Sequence, residues 1–330
     1  MTQATPPSCC IVFTTDLGYL FPTLVSAMQA RRHVSQTKAD VLICHFGVED
    51  AAERLFADIC AREGIGLLAV DPATIEHATP MMSRLFLDRF LPVQYQQILY
   101  LDGDVQISRS LDPLIEAEVA PGQFLAVNDP MTFLLADRDA QSLDLARHMA
   151  AMGLTPLQAG RYFNTGVLRI NRTGWEAIGQ RAWALTQNGP PSRFPDQDPL
   201  NRVATDCHLP LSLAWNFPIF MRNARVEAAI DPCITHFMSN PKPWQGSYLP
   251  WDAQACAPYD DAITTYPALG LYRQALPLRR RIHYRLLQTA KKLLESRKWG
   301  YSARRARILE YENRVMLSAR QLNVAGREVG

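Results

Sequence analysis

Ile98-Leu99-Tyr100-Leu101-Asp102-Gly103-Asp104-Val105 joins a run of strand-forming residues to two carboxylates separated by one glycine. An unbroken apolar run suits a strand buried on both faces of a parallel sheet. The C-terminal end of such a strand is where open α/β sheets hold their ligands. In extended backbone, residues i and i+2 point the same way, so Asp102 and Asp104 are expected to converge. Gly103 lets backbone or ligand come close. Two hard oxygen ligands at a sheet edge suit Mg²⁺ or Mn²⁺, which usually complete their shells with substrate phosphates. Taken alone, Asp-Gly-Asp more often marks a polar turn, so partners elsewhere in the chain must decide.

The flanking sequence alternates between the two periods. Cys9–Thr15 reads as a first buried strand, followed by Asp16-Leu17-Gly18-Tyr19 and a helix from Pro22 to about Arg32, with proline in its first turn. Strand Val41–His45, helix Ala51–Glu63, strand Gly66–Val70 and helix Met82–Leu91 then lead to the aspartates. Such alternation predicts an α/β fold with a mainly parallel sheet and right-handed crossovers. There is neither a GxGxxG nor a Walker A loop, which argues against a dinucleotide dehydrogenase or a P-loop enzyme.

The 330 residues are enough for one large core or two modest ones. With 48% hydrophobic and 20% charged residues the composition is that of a soluble globular protein. Seven cysteines without regular spacing form neither a zinc pattern nor a disulfide framework, and predict reduced thiols in a cytoplasmic protein. Neither a signal peptide nor a membrane span is expected.

Three later stretches carry chemistry. Phe124–Asn128 reads as a strand and Asp139–Met152 as a helix, after which Arg161–Asn171 (RYFNTGVLRIN) forms a loop feeding a strand. A helix over Trp175–Gln187 precedes Phe194-Pro195-Asp196-Gln197-Asp198, which opens a short helix, Pro199–Ala204. One aspartate suffices to cap that helix, and two around an amide are more than capping needs. Ile234–Trp244 combines a strand-end His236, a common metal ligand, with Lys242 framed by Pro241 and Pro243. A lysine is a point charge suited to phosphate.

In their order along the chain, IVFTTDLGY, SRLFLDRFLP, ILYLDGDV, YFNTGVLRIN, the Asp196–Asp198 triplet and HFMSNPKPW resemble the retaining glycosyltransferases of family 8, the group of glycogenin and bacterial lipooligosaccharide galactosyltransferases. The resemblance runs from Cys9 to about Trp244. It implies the GT-A nucleotide-diphosphosugar fold over residues 1–250, a mixed and mostly parallel sheet flanked by helices, with a basic helical extension over 251–330. It also implies Asp102, Asp104 and His236 as ligands of Mn²⁺, or of Mg²⁺, with Gly103 between them. Asp16 and Tyr19 fall where the family holds uridine, and Lys242 where it binds the diphosphate. Arg84, Asn164, Asp196 and Asp198 match positions around the donor sugar, and Gln197 matches the amide beneath the anomeric carbon. Gly18 and Ser239 depart from the family's usual residues near the nucleotide and the phosphates; Ser239 still falls at a donor-binding position. The implied donors are UDP-galactose and UDP-glucose, and the implied acceptor is a glycan or glycolipid of bacterial surface polysaccharide or lipopolysaccharide.

From Pro277 to Arg320 there are thirteen Lys or Arg against three Glu. Ile282, Leu286, Ala290, Leu293 and Leu294 recur at helical spacing, and a second pattern carries Ile308, Tyr311, Val315 and Leu322 after a break near Trp299-Gly300. This predicts either a solvated helical cap or peripheral attachment to an anionic membrane surface, the cytoplasmic face of the inner membrane. No nucleic-acid recognition module accompanies the charge. The expectation is a metal-dependent retaining hexosyltransferase. The alternatives are a catalytically silent sugar-nucleotide or glycan-binding partner with the same fold, and a nucleotidyltransferase. The latter needs a glycine-rich basic loop that TTDLGY is not.

Overall fold

The computed structural model of the chain describes residues 7–189 and 192–318. Strands β1 (Cys9–Thr15), β2 (Asp40–His45), β3 (Gly66–Ala69) and β4 (Gln97–Leu101) fall where the apolar runs predict them. After them come β5 (Val105–Ile107), β6 (Phe124–Asn128), β7 (Phe163–Asn171), β8 (His208–Leu211), β9 (Phe217–Pro218) and β10 (Ile234–His236). Seven strands form one sheet in the order β3-β2-β1-β4-β7-β6-β8. β7 runs antiparallel to both β4 and β6, and the other pairings are parallel, so the sheet is mixed and mostly parallel.

Both faces of the sheet are buried, which is why its strands lack polar alternation. Ile11, Phe13, Leu99 and Leu101 pack on one side with Leu20, Phe21 and Leu24 of the first helix. Cys10, Val12, Ile98 and Tyr100 pack on the other with Phe124, Phe163 and Trp175. A smaller sheet, β5-β10-β9, leaves the C-terminal edge of β4 and returns the chain beside the aspartates. All seven cysteines are free thiols.

Two helical expectations need correction. The first helix spans Leu17–Arg32 and starts at Asp16, whose side chain caps the Tyr19 N–H, and Pro22 lies inside it. The proline removes the N–H that would bond the Gly18 carbonyl. Gln274 Nε2 donates to that oxygen instead, at 2.7 Å, so a residue far along the chain makes the early helix start tolerable. The expected helix Met82–Leu91 is a 3₁₀ segment, Pro80–Phe86, followed by one α turn, Leu87–Phe90. Here Arg84 turns inward, and helix Trp175–Asn188 presses so closely that a Cβ on Gly179 would lie 1.9 Å from the Leu85 carbonyl. Tertiary packing outweighs local helix propensity over these residues.

The chain beyond residue 250 joins the same core. Helix Ala253–Thr265 inserts Tyr259 between Phe21 and Trp244. Tyr311, on helix Ser302–Glu312, donates its hydroxyl hydrogen to the Leu211 carbonyl at 2.6 Å and accepts the Asn128 N–H at 3.0 Å. That helix ends before Val315, and Leu322 lies outside the described residues. Between these elements runs the long helix Leu278–Gly300. Among the described residues, no helix is long and apolar enough to cross a membrane.

Candidate active site

Strand register assembles the site. Asp102 follows β4, and its N–H donates to the Gly166 carbonyl at 2.8 Å. Because β7 runs antiparallel to β4, the start of β7 carries Asn164 and Thr165 to the same edge. β10 pairs antiparallel with β5, setting His236 opposite Val105 and hence beside Asp104. A cleft of about 410 Å³ results, lined among others by Asp16, Tyr19, Arg84, Asp104, Asn164 and Gln197.

Asp102, Asp104 and His236 offer three ligand atoms within 4.8 Å of one another. His236 Nε2 is 3.1 Å from Asp104 Oδ1 and 3.7 Å from Asp102 Oδ2. A chain of hydrogen bonds decides how the imidazole presents itself. The Gly166 N–H donates to Asn164 Oδ1 at 3.0 Å, which fixes that amide, and Asn216 Nδ2 donates to the same oxygen at 2.8 Å. Asn216 Oδ1 then accepts from His236 Nδ1–H at 2.8 Å. Nδ1 is therefore taken up by Asn216, and Nε2 is the ring nitrogen that faces the two carboxylates, the orientation a metal-binding histidine needs. Gly166 completes the cradle: a Cβ there would lie 2.4 Å from His236 Cε1 and 2.8 Å from Asp102 Oδ2. The donor set, two carboxylates and one imidazole nitrogen, fits Mn²⁺ or Mg²⁺.

Charge is balanced around this trio. Arg84, buried, donates to Asp102 Oδ1 at 2.8 Å and lies 3.2 Å from Asp196 Oδ2. Burial opposes its charge, but Asp102, Tyr100 and Asp196 more than offset that and hold the guanidinium firmly protonated. Burial likewise disfavours the Asp104 carboxylate, yet Lys242 and His236 outweigh it and hold its pKa well below the usual carboxylate range. Lys242 is buried with its ammonium 2.6 Å from Asp104 Oδ2 and hydrogen-bonded to the Phe237 carbonyl. It sits behind the aspartate, outside the cleft lining.

The triplet Asp196-Gln197-Asp198 separates. Asp196 is the N-cap residue of helix Gln197–Ala204, but its side chain leaves the backbone uncapped and instead accepts from Thr165 Oγ1 at 2.7 Å, facing the cleft. Gln197 also lines the cleft, its Nε2 donating to Asp129 Oδ2 and its Oε1 accepting from Asn164. Asp198 turns away, where Tyr162, Ser192 and the Phe194 N–H all donate to it. Ser239 stands outside the cleft lining, next to Met238, which belongs to it. Asp16 and Tyr19 are at the rim, Tyr19 edge-on to Trp244 with ring centroids 5.4 Å apart.

Sequence reasoning missed two residues. Asp129 closes β6 at the same sheet edge, the positional rule that singled out Asp102, so its signal was available. Burial raises the Asp129 pKa, against hydrogen bonds from the Met131 N–H, Gln197 and Asn164. Asn216 had no local signal, since its importance rests wholly on partners distant in sequence.

With this geometry in place, comparisons with known proteins agree. The family model described as "Glycosyl transferase family 8" matches residues 10–247. The chain is 23% identical over 276 residues to the lipopolysaccharide glucosyltransferase WaaO of Escherichia coli (strain K12), covering 78% of each. It is 21% identical over 262 residues to general stress protein A of Bacillus subtilis (strain 168), covering 71% of this chain and 85% of that one. The crystal structure of the galactosyltransferase LgtC with donor and acceptor sugar analogues superposes with a TM-score of 0.59 at 20% identity, over 82% of this chain and 99% of that one. The mixed sheet with flanking helices is thus the GT-A fold, and the chain belongs to glycosyltransferase family 8.

Proposed function

We propose that the protein is a metal-dependent retaining glycosyltransferase that moves a hexose from a UDP-sugar to a glycan or glycolipid acceptor in bacterial surface polysaccharide or lipopolysaccharide synthesis. The observation that carries this reading is the Asp102–Asp104–His236 trio, with His236 Nε2 aimed by Asn216, in a cleft that also takes in Gln197. These three residues would hold Mn²⁺, or Mg²⁺, which when bound stabilises the charge of a departing diphosphate. Lys242 adds a positive charge behind Asp104. Asp16 and Tyr19 would receive the uridine, and Arg84, Asn164 and Asp196 the sugar. The printed names of the relatives, a glucosyltransferase and a galactosyltransferase, favour glucose or galactose and the lipopolysaccharide setting.

The side chains favour front-face displacement. The anomeric C–O bond to the diphosphate breaks, and its electron pair goes to the phosphate oxygen. The acceptor oxygen bonds to the anomeric carbon on that same face, and its proton passes to the leaving phosphate oxygen. A double displacement needs a free carboxylate under the ring. Gln197 is uncharged, Asp196 is engaged by Thr165 and Arg84, and Asp198 is bonded away from the cleft.

The test is turnover of UDP-glucose, UDP-galactose and UDP-N-acetylglucosamine by the purified protein, with Mn²⁺ and with chelator. UDP release that requires metal and is lost in Asp104→Asn is expected. Neither binding nor turnover of any nucleotide sugar would overturn the reading in favour of a silent partner protein.

Attachment to an anionic membrane surface, the cytoplasmic face of the inner membrane, has separate support. The long helix packs inward through Gln288 and Trp299, so the stripe Leu278, Ile282, Leu286 and Leu293 faces outward, with Ile282 52% and Leu286 70% exposed. Arg279, Arg285 and Lys292 flank that stripe, the pattern of an interfacial helix. Flotation with phosphatidylglycerol vesicles should be lost in the triple variant Ile282→Ser, Leu286→Ser, Leu293→Ser. Equal flotation of both proteins would refute attachment through this face.

A further inference from the structure

A second cavity, of about 400 Å³, adjoins the donor cleft and shares Asn164, Gln197 and Met238 with it. Its volume is in the range of ordinary ligand pockets. Helix Leu278–Gly300 supplies one wall through Glu295, Lys298 and Trp299, and Trp299 stacks on Phe220 with ring centroids 5.5 Å apart. An acceptor hydroxyl has to reach the sugar above Gln197. On the transferase reading, from which this inference proceeds, the cavity on the other side of Gln197 receives the acceptor.

The charged groups of that wall are not equally free. Asp129 accepts from the Met131 N–H, Gln197 and Asn164. Glu295 accepts from Asn223 Nδ2, and burial pushes its pKa up. Arg193 pairs with Asp144 at 3.0 Å. Lys298 differs: among the described residues its ammonium makes no hydrogen bond and no ion pair within 4 Å, and it lies over the Trp299 ring, 5.1 Å to the centroid. Burial and Arg304 pull the Lys298 pKa down, and the carboxylates of Glu295 and Asp139, neither in contact with the ammonium, offset that only in part. A half-buried ammonium in a cavity is stabilised when a ligand brings the anion.

We propose that the acceptor is an anionic saccharide, carrying a phosphate or a carboxylate, and that Lys298 binds that group. The basic C-terminal helix then does more than pack: it selects the acceptor by charge, while Asp129, Asn164 and Gln197 meet the sugar that receives the hexose.

The experiment uses the full chain with Mn²⁺ and UDP, so that the donor phosphate sites are filled. UDP affinity is measured first and reports on the transferase reading alone; wild-type protein that fails to bind UDP overturns that reading. Dissociation constants are then taken for glucose, glucose 6-phosphate and glucuronate, the last two separating phosphate from carboxylate. At least one anionic sugar should bind about tenfold or more tightly than glucose, as expected for a charge-assisted hydrogen bond. Lys298→Met should abolish the preference, Lys298→Arg should keep it, and UDP affinity should stay unchanged in both. Equal binding of all three sugars, no binding of either anionic sugar at millimolar concentration, or a preference that survives in Lys298→Met would each overturn the proposal.

Discussion

Replacing Asn216 by leucine tests whether the imidazole is held as a metal ligand. Asn216 is 1% exposed and joins the site through two bonds of 2.8 Å, accepting from His236 Nδ1–H and donating to Asn164 Oδ1. Leucine keeps the same branching of four side-chain heavy atoms, so no void opens while both bonds vanish. His236 Nδ1 then has no partner in a buried setting, and the proton is as well placed on Nε2, where it blocks the lone pair facing Asp102 and Asp104. Loss of an outer-shell partner of this kind typically costs about 10–100-fold in metal affinity, which is about 1.4–2.8 kcal/mol. The assay is calorimetric titration of metal-stripped protein with Mn²⁺, beside urea unfolding to show that the variant is folded. An orphaned buried donor costs about 1–3 kcal/mol of stability, so the unfolding midpoint should fall as well. A folded variant with wild-type Mn²⁺ affinity would refute the claim that Asn216 sets the tautomer.

Gly166→Ala should weaken both metal binding and the fold, because its Cβ would collide with His236 Cε1 at 2.4 Å; Mn²⁺ affinity falling at least about tenfold, with about 1–3 kcal/mol lost from urea unfolding, is expected. His208 is buried with Nε2 bonded to the Ala126 carbonyl, and burial lowers its pKa to about 4. Its proton is therefore bound more readily by the unfolded chain, so the stability it permits is present at neutral pH and drains away as pH falls from about 6.5 towards 4, amounting to about 2 kcal/mol at pH 5. Urea unfolding at pH 7.5 and pH 5 should show a shallower acid loss in His208→Gln than in wild type; equal losses would contradict the assignment. Tyr311→Phe removes the hydroxyl that bonds both Leu211 and Asn128, and should lower stability by about 1–3 kcal/mol. An unchanged unfolding midpoint would mean that this C-terminal helix contributes little to the main sheet.

Much of the fold was legible because its signals are local. Continuous apolar strands and the strand-end histidine follow from backbone geometry over a few residues; Asp102 and Asp104 do converge, but across a turn at Gly103 and Asp104 and not in the extended backbone expected. The triplet Asp196–Asp198 misled for the same reason. Two carboxylates one residue apart converge in extended chain, but at the start of a helix they diverge by about 200°, and Asp198 ends among Tyr162, Ser192 and the Phe194 N–H. The helix start at Leu17 and the 3₁₀ course of Pro80–Phe86 escaped because Gln274 and Gly179, both remote in sequence, make them possible.

By itself the sequence determined that this is an α/β protein with a carboxylate pair and a histidine poised at a sheet edge. Hydrophobic period and dipeptide geometry need no knowledge of distant contacts. Only tertiary structure decided which ring nitrogen His236 presents, which aspartate of the triplet faces the cleft, and that the apolar stripe of the long helix points outward while Lys298 points to a cavity. Each depends on which remote side chain arrives opposite, and strand register and helix packing set that, not the order of residues nearby.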